Sequence, residues 1–346
     1  MGRVTISDVA RKCGVSKYTV SVALRDRPGV AHETRRRILA AAKELNFRPC
    51  FTARSLSRGR TELIALQVPY VNDSFFGILV DLFGVVLPRQ GYNMLLELVW
   101  DESHRRAKGV ELVLEGRVDG LLIWGGVYGE EEWKRIDEAA RSWPIVAFGT
   151  DVGPTVDCVD INRQEGFARA TRYLAGLGHR TIGLVDFSPI PQTGDAYSAR
   201  GRGYLLGLEQ AGLTYDRRRH FVISDVTEAG GYALAKEIAG FADRPTALVV
   251  CSTRPALGLI HGLIESGLRV PNDVAIVAYG LDEQADALYA EVPLTVIGVP
   301  RERLVQHSVE LLMARLKDKE DSEDRRREKI VIDPQLVIRK SCGGRG

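Results

Sequence analysis

The stretch VTISDVARKCGVSKYTVSVALR, residues 4–25, decides how the beginning of the chain folds. Ile6, Val9, Ala10 and Cys13 stand at i, i+3, i+4 and i+7, which is one face of a helix. Thr5 precedes that face and Asp8 follows three residues later, close to the reciprocal pattern that satisfies two free N–H groups at a helix start. Gly14 stops the helix, because a residue without Cβ takes the left-handed conformation freely. Ser16 offers an N-cap for a second helix, whose narrow apolar face is Val20, Ala23 and Leu24. The opposite face carries Lys17, Tyr18, Ser21, Val22 and Arg25. Side chains of these kinds reach base edges and phosphates, so the pattern predicts a helix-turn-helix whose second helix enters a DNA major groove. The plainer reading is a helical hairpin with a solvated basic face.

After Arg27-Pro28-Gly29 a third helix is expected, with Ile38, Ala41, Ala42 and Leu45 on one face. Pro49 ends it, since the residue before a proline avoids the helical region. Through residue 60, fourteen Lys and Arg against four Asp and Glu give +10, which leaves −8 for the rest of a chain of formal net charge +2. A basic head on an acidic body fits a polyanionic partner for the head alone. At 346 residues the chain is too long for one ordinary core, and 45% hydrophobic with 27% charged residues describes a soluble globular protein. The five cysteines, Cys13, Cys50, Cys158, Cys251 and Cys342, are scattered without C-x-x-C spacing. They indicate neither a disulfide framework nor a zinc site, and a reducing, cytoplasmic location is expected. No signal segment or bilayer-spanning run is evident, so no membrane partner is expected.

The stretch VTISDVARKCGVSKYTVSVAL, followed by TRRRILAAAKELNFRP and ARSL, resembles the DNA-binding head of the LacI/GalR family of bacterial repressors. A looser likeness continues through nearly the whole chain. The resemblance implies operator contacts from Thr5, Ser16, Lys17, Tyr18, Thr19, Ser21, Val22, Arg25, Thr34 and Arg35. It also implies a hinge helix in CFTARSLSRGR, residues 50–60, folding only on the operator and paired with its dimer mate in the minor groove. Leu56 matches the wedge residue and Ala53 the small residue where paired helices approach. Such a segment is too short to stay helical alone, and the plainer reading is a flexible tether. Cys50 stands where the family usually has Asn, a better cap.

From residue 61 the pattern alternates. Strands are expected at 62–68, 93–98, 119–123, 144–148, 181–185, 246–251 and 274–278, with helical periodicity at 75–89, 103–115, 164–176, 198–211, 229–239 and 254–266. The acidic residues Glu130 to Glu132 read as the start of a solvated helix. This βαβ alternation predicts an α/β body of two doubly wound parallel-sheet subdomains. The resemblance adds a periplasmic-binding-protein-like fold whose chain crosses between subdomains three times, expected near 160, 292 and 322. The expected divisions are a helix-turn-helix head at 1–49, a hinge at 50–60 and a body at 61–340. Within the body, one subdomain takes 61–160 and 293–322, and the other 161–292 and 323–340. A last strand is expected at 330–338, and the charged run 317–329 reads as a solvated loop. No leucine heptads follow, so a homodimer is expected rather than a tetramer.

Open α/β sheets bind ligands at the carboxyl ends of their strands, which places an effector in the cleft between subdomains. Asn72, Phe75, Phe76, Trp124, Asp151, Arg200, Ser252 and Asp282 are the expected lining residues, with Asp73, Thr253 and Arg254 close by. Each taken singly also reads as structural. Phe75 and Phe76 match the family's stacking position, and Arg200 the family's effector-gripping arginine. The family often reads N-D after the 246–251 strand, where this chain has Ser252-Thr253, and G-[YF]-D after the next, where it has Ala278-Tyr279-Gly280. Missing carboxylates together with Arg200 and Arg254 favour an acidic or phosphorylated, sugar-like effector over a neutral sugar. Loss of effector binding is the other reading.

No P-loop, H-E-x-x-H or G-x-S-x-G motif is present, and no catalytic residue, metal or cofactor is expected. The reading is a cytoplasmic, homodimeric transcriptional regulator, a repressor, that binds a palindromic double-stranded DNA operator with an affinity set by a small-molecule effector. The alternatives are a corepressor-dependent regulator and a sugar-kinase-like α/β enzyme fused to a DNA-binding head.

Overall fold

The computed structural model describes residues 4–24, 28–47, 59–99, 108–125, 130–150, 152–187, 199–317 and 326–344. The chain divides into two compact units, Met1–Glu62 and Leu63–Gly346. The first contains helices α1 (Ile6–Cys13), α2 (Lys17–Leu24) and α3 (His32–Glu44). At the start of α1 the backbone N–H and the hydroxyl of Thr5 both donate to the Asp8 carboxylate, at 2.9 and 2.7 Å. Those bonds hold the Asp8 carboxyl below its usual range. Gly14 closes α1 at φ 63 and ψ 33, the left-handed conformation that its lack of a Cβ allows. Ser16 Oγ accepts from the Thr19 N–H at 3.0 Å and caps α2. Val9, Val20 and Ile38, one from each helix, form the centre of a small core flanked by Cys13 and four alanines. Arg37 of α3 donates to the Cys13 carbonyl at 3.1 Å and ties the third helix to the turn. Arg25, Cys50, Ala53 and Leu56 lie outside the described residues.

The second unit is built on two six-stranded sheets. The first holds β1 (Leu63–Val68), β2 (Asn93–Leu98), β3 (Gly120–Trp124), β4 (Ile145–Gly149), β5 (Asp157–Ile161) and β11 (Lys329–Ile332) in the order β11-β5-β4-β3-β1-β2, all parallel. The second holds β6 (Ile182–Asp186), β7 (His220–Val222), β8 (Ala247–Val250), β9 (Ala275–Leu281), β10 (Thr295–Val299) and β12 (Gln335–Val337) in the order β12-β10-β9-β8-β6-β7. Only its β10–β12 pair is antiparallel. Helices α4 (Ser74–Arg89), α5 (Lys108–Leu114), α6 (Glu130–Ala140) and α12 (Arg301–Lys317) cover the first sheet. Helices α7 (Arg163–Gly176), α8 (Ala199–Gln210), α9 (Glu228–Ala239) and α10 (Thr253–Glu265) cover the second, and the short α11 (Ala285–Leu288) follows β9. The central strands are almost wholly buried and rich in Val, Ile, Leu and Ala, as strands covered on both faces must be. One apolar cluster, from Phe83 and Phe148 to Phe167 and Tyr204, continues from one sheet to the other.

The chain changes sheets between β5 and α7, after β10, and between β11 and β12. The last two changes come later than the expected positions near 292 and 322. Residues 295–299 are a strand of the second sheet, not the first, and 329–332 belong to the first sheet, not the second. The single strand expected at 330–338 is two, separated by Asp333-Pro334. Proline cannot donate to a ladder, so the strand ends there and the chain passes to the other sheet. β5 was not expected because Asp157 and Asp160 interrupt its apolar run. Asp157 is nonetheless buried, since Arg315 of α12 pairs with it through two nitrogens and the Glu328 N–H donates to it at 2.7 Å.

Candidate functional site

In the head, α2 is fixed against α1 and α3 by Val20 and Ala23, which leaves its other face outward. Tyr18 is 79% exposed, an unusual state for a large aromatic side chain. Thr5, Ser16 and Lys17 are exposed, and Thr19, Ser21, Val22, Thr34 and Arg35 are half-buried. Ser16 and Thr19 spend part of their hydrogen-bonding capacity on each other, with the two hydroxyls 2.8 Å apart.

In the body, the carboxyl ends of both sheets face a cleft of about 1400 Å³. Phe75, Phe76, Trp124, Arg200 and Ser252 line it, together with Asp73, Thr253 and Arg254. Asn72 and Asp282 do not. Asn72 is exposed beside the α4 cap, whereas Asp73 turns inward and accepts from the Phe76 N–H at 3.0 Å. Asp282 bonds to its own loop, accepting from the Glu283 N–H at 3.1 Å, while Arg339 holds its carbonyl at 3.0 Å. Asp151 lies outside the described residues.

The aromatic side chains come from both halves. Phe75 of α4 meets Trp124 edge-on, with ring centres 5.7 Å apart, and stacks on Tyr279 of β9 at 6.2 Å. Arg200 enters from α8, buried, with Nε donating to Asp186 at 2.9 Å and its guanidinium 4.0 Å from the Phe187 ring centre. Burial raises the Asp186 carboxyl above its usual range, and Arg200 pulls the other way. Arg200 Nη2 is buried with no hydrogen-bond partner among the described residues. Arg254, expected to offer free positive charge, is instead held by Glu228 of α9 through two bonds of 2.9 and 2.8 Å. Glu228 lies 26 residues away in the chain, so its pairing was not visible in the sequence.

Among the lining residues that the sequence reading missed are Arg163 and Gln284. Arg163 opens α7 directly after the unexpected strand β5, with its guanidinium 5.6 Å from the Tyr279 ring centre and 5.8 Å from that of Trp124. Gln284 is buried at the cleft edge, where its amide oxygen accepts from Thr253 Oγ1 at 3.2 Å and from the Leu281 N–H at 3.3 Å. A Cβ on Gly280 would meet Thr253 Oγ1 at 2.4 Å and Gln284 Oε1 at 2.8 Å. The position where the family often carries a carboxylate is therefore filled by a neutral Thr–Gln pair. The described residues hold no group of three or more His, Cys, Asp or Glu side chains placed to bind a metal ion.

Residues 5–50 match the family described as bacterial regulatory proteins, lacI family, and residues 171–342 match the periplasmic binding protein-like domain. The HTH-type transcriptional repressor PurR of Mannheimia succiniciproducens is 31% identical over 337 residues, spanning 97% of this chain and 98% of that protein. PurR of Vibrio vulnificus is 31% identical over 338 residues, spanning 97% of each. Among solved structures, the transcriptional regulator CelR in complex with cellobiose superimposes with a TM-score of 0.69 at 29% identity, covering 98% of this chain and 100% of that one. The lac repressor dimer bound to operator and the anti-inducer ONPF shares the fold, with a TM-score of 0.81 at 24% identity over 99% of each chain.

Proposed function

The chain belongs to the LacI family of bacterial regulatory proteins, and on that premise we propose that it is a homodimeric repressor of a palindromic operator, released or recruited by a small organic anion bound in the body cleft. It is a DNA-binding transcriptional repressor under small-molecule control. The head acts as residues 1–49 and the hinge as 50–60. Lys17, Tyr18 and Val22 of α2 read bases, while Thr5, Ser16, Thr19, Ser21, Arg25, Thr34 and Arg35 hold the backbone. Ala53 and Leu56 of the hinge act in the minor groove.

The observation that carries this reading is the exposed aromatic and cationic face of α2 on a strongly basic unit, in one chain with a cleft lined by Arg200. A second copy would find apolar surface at the edge of the first sheet, where Val85, Leu96 and Leu98 are 51%, 39% and 43% exposed. Exposed apolar groups of this kind on α4 and the edge strand β2 fit an interface between copies. A regulator that acts on chromosomal DNA works in the cytoplasm. No helix among the described residues is long and apolar enough to cross a membrane. No catalytic step is assigned to the body, and the named relatives are repressors.

The effector links the cleft to the heads as a coupling free energy between two sites. The test is binding-site selection with full-length protein, followed by operator titration with and without acidic sugars and sugar phosphates. A selected palindrome whose affinity changes with an acidic ligand is the expected result, and the sign of the change separates induction from corepression. Arg200→Ala keeps operator binding and loses the response. Tight binding of a neutral sugar, with acidic analogues silent, refutes the anionic effector.

A further inference from the structure

We propose that Arg163, the hydroxyl of Tyr279 and the free nitrogen of Arg200 form one anion-binding corner of the cleft, which receives a carboxylate or phosphate-monoester group of the effector. This rests on the reading of the cleft as the effector site and names the chemistry within it.

Three observations converge. The Tyr279 side chain is 7% exposed, and its buried hydroxyl sits beside the Arg163 guanidinium with no acceptor for its proton among the described residues. Arg200 Nη2 likewise is buried without an acceptor among them. Buried polar groups in native proteins are almost always paired, so two orphans lining one cavity mark a place for a missing partner. Arg163 lines that cavity too, and its guanidinium lies against the rings of Tyr279 and Trp124. Its ion-pair partner Asp160 is at 4.0 Å, and Lys329 takes the same carboxylate at 3.4 Å.

The chemistry of the partner follows from what is left over. Guanidinium nitrogens only donate, and a phenol beside two cations donates most favourably. The three aspartates lining the cleft, Asp73, Asp137 and Asp160, already accept backbone N–H bonds from Phe76, Thr155 and Ile161. A sugar hydroxyl must donate as well as accept, and the two guanidinium groups of this corner offer it no acceptor. A carboxylate or phosphate only accepts, and a planar guanidinium grips it with two parallel bonds. The rest of such a ligand would lie along Phe75 and Trp124.

The experiment uses the full chain and its variants Tyr279→Phe, Arg163→Gln and Arg200→Gln, in thermal shift and calorimetry with glucuronate, glucose 6-phosphate, inorganic phosphate and glucose. An acidic probe is expected to raise the wild-type midpoint while glucose does not, and the responding probe tells carboxylate from phosphate. Tyr279→Phe and Arg163→Gln should each weaken that probe about tenfold, the size of one charge-assisted hydrogen bond. Without any probe, Tyr279→Phe should melt close to the wild type, because the buried hydroxyl it deletes has no acceptor for its proton. A probe-free midpoint lower by more than about 4 °C would show a structural partner for that hydroxyl and overturn the proposal. Loss of the probe in Arg200→Gln with unchanged affinity in the other two variants overturns this corner and leaves the anionic effector standing. A wild type silent to every acidic probe, or equally responsive to glucose, overturns both.

Discussion

The side-chain amide of Gln284 donates to the hydroxyl of Ser74, and the two residues belong to different halves of the body. Gln284 follows β9 of the second sheet, whereas Ser74 begins α4 over the first. The same amide is anchored by Thr253 and by the Leu281 N–H, so its orientation is set before it reaches across. A few residues on, Arg301 at the start of α12 donates to the Glu283 carbonyl at 2.6 Å.

Ser74→Ala removes the cross-cleft acceptor and leaves the Gln284 anchor in place. A net hydrogen bond is worth about 0.5–1.5 kcal/mol, so effector affinity should fall up to about tenfold if the ligand binds the halves drawn together. Calorimetry with the identified effector reads the change, and small-angle scattering of the free protein should show more open bodies. Equal affinities for variant and wild type would make the hydrogen bond an incidental one.

Gly280→Ala should destabilise the body by about 1–3 kcal/mol, because its new Cβ must displace Thr253 Oγ1, 2.4 Å from where that atom would sit. Thr253→Ser in the same chain relieves nothing, since the hydroxyl is the clashing group, whereas Thr253→Ala should recover part of the loss. Denaturant unfolding of the three variants distinguishes these outcomes.

Arg200→Ala leaves Asp186 buried without its counter-charge, and breaking such a pair costs roughly 3–5 kcal/mol. The cost should depend on pH in a definite direction. Burial already raises the Asp186 carboxyl above its usual 3.8, and removing Arg200 deletes a lowering influence. A group with a raised native pKa is more readily protonated in the folded state, so its contribution falls as pH rises through that value. The deficit of the variant should therefore be largest near neutral pH and shrink as pH falls toward 4. Thermal midpoints measured across that window check the sign, and a deficit that grows in acid would contradict it.

Tyr18→Ala with Val22→Ala should change the selected half-site and leave the fold of the head intact, because the head core rests on Val9, Val20 and Ile38. A side chain well packed on a base supplies about 1–3 kcal/mol of discrimination, and its truncation removes that preference. Selection that returns the parental operator would remove both residues from base reading.

Much of this was legible in the chain itself. The head was readable because its signals are local: Thr5 with Asp8, Gly14, and Ser16 with Thr19 each act within a few residues. The buried strands announced themselves as runs of Val, Ile and Leu. β5 did not, since Asp157 is tolerated there through distant partners, Arg315 158 residues away and the Glu328 N–H 171 residues away. Missing that strand hid Arg163, the residue that follows its loop into the cleft. Arg254 looked free for the same kind of reason, as its partner Glu228 sits on another helix. Asp282 looked inward by its distance from β9, but its carboxylate folds back onto the Glu283 N–H. Nothing in the sequence singled out Ser341 and Cys342, yet both are buried, and Ser341 Oγ donates to the Ile276 carbonyl at 2.6 Å.

The short passage from β11 to β12 has a consequence for synthesis. One stretch, Lys329 to Val337, supplies an edge strand to each of the two sheets, with only Asp333-Pro334 between them. On the ribosome, neither half can complete its sheet until that stretch has emerged, so the two halves mature together however early their other strands were made. A stop codon or frameshift between residues 300 and 329 yields no finished half, only two sheets each lacking an edge strand, and unpaired strand edges are the template on which chains aggregate. The gene encoding such a protein should tolerate splitting or fusion within its exposed loops far better than a trim of its last few dozen codons.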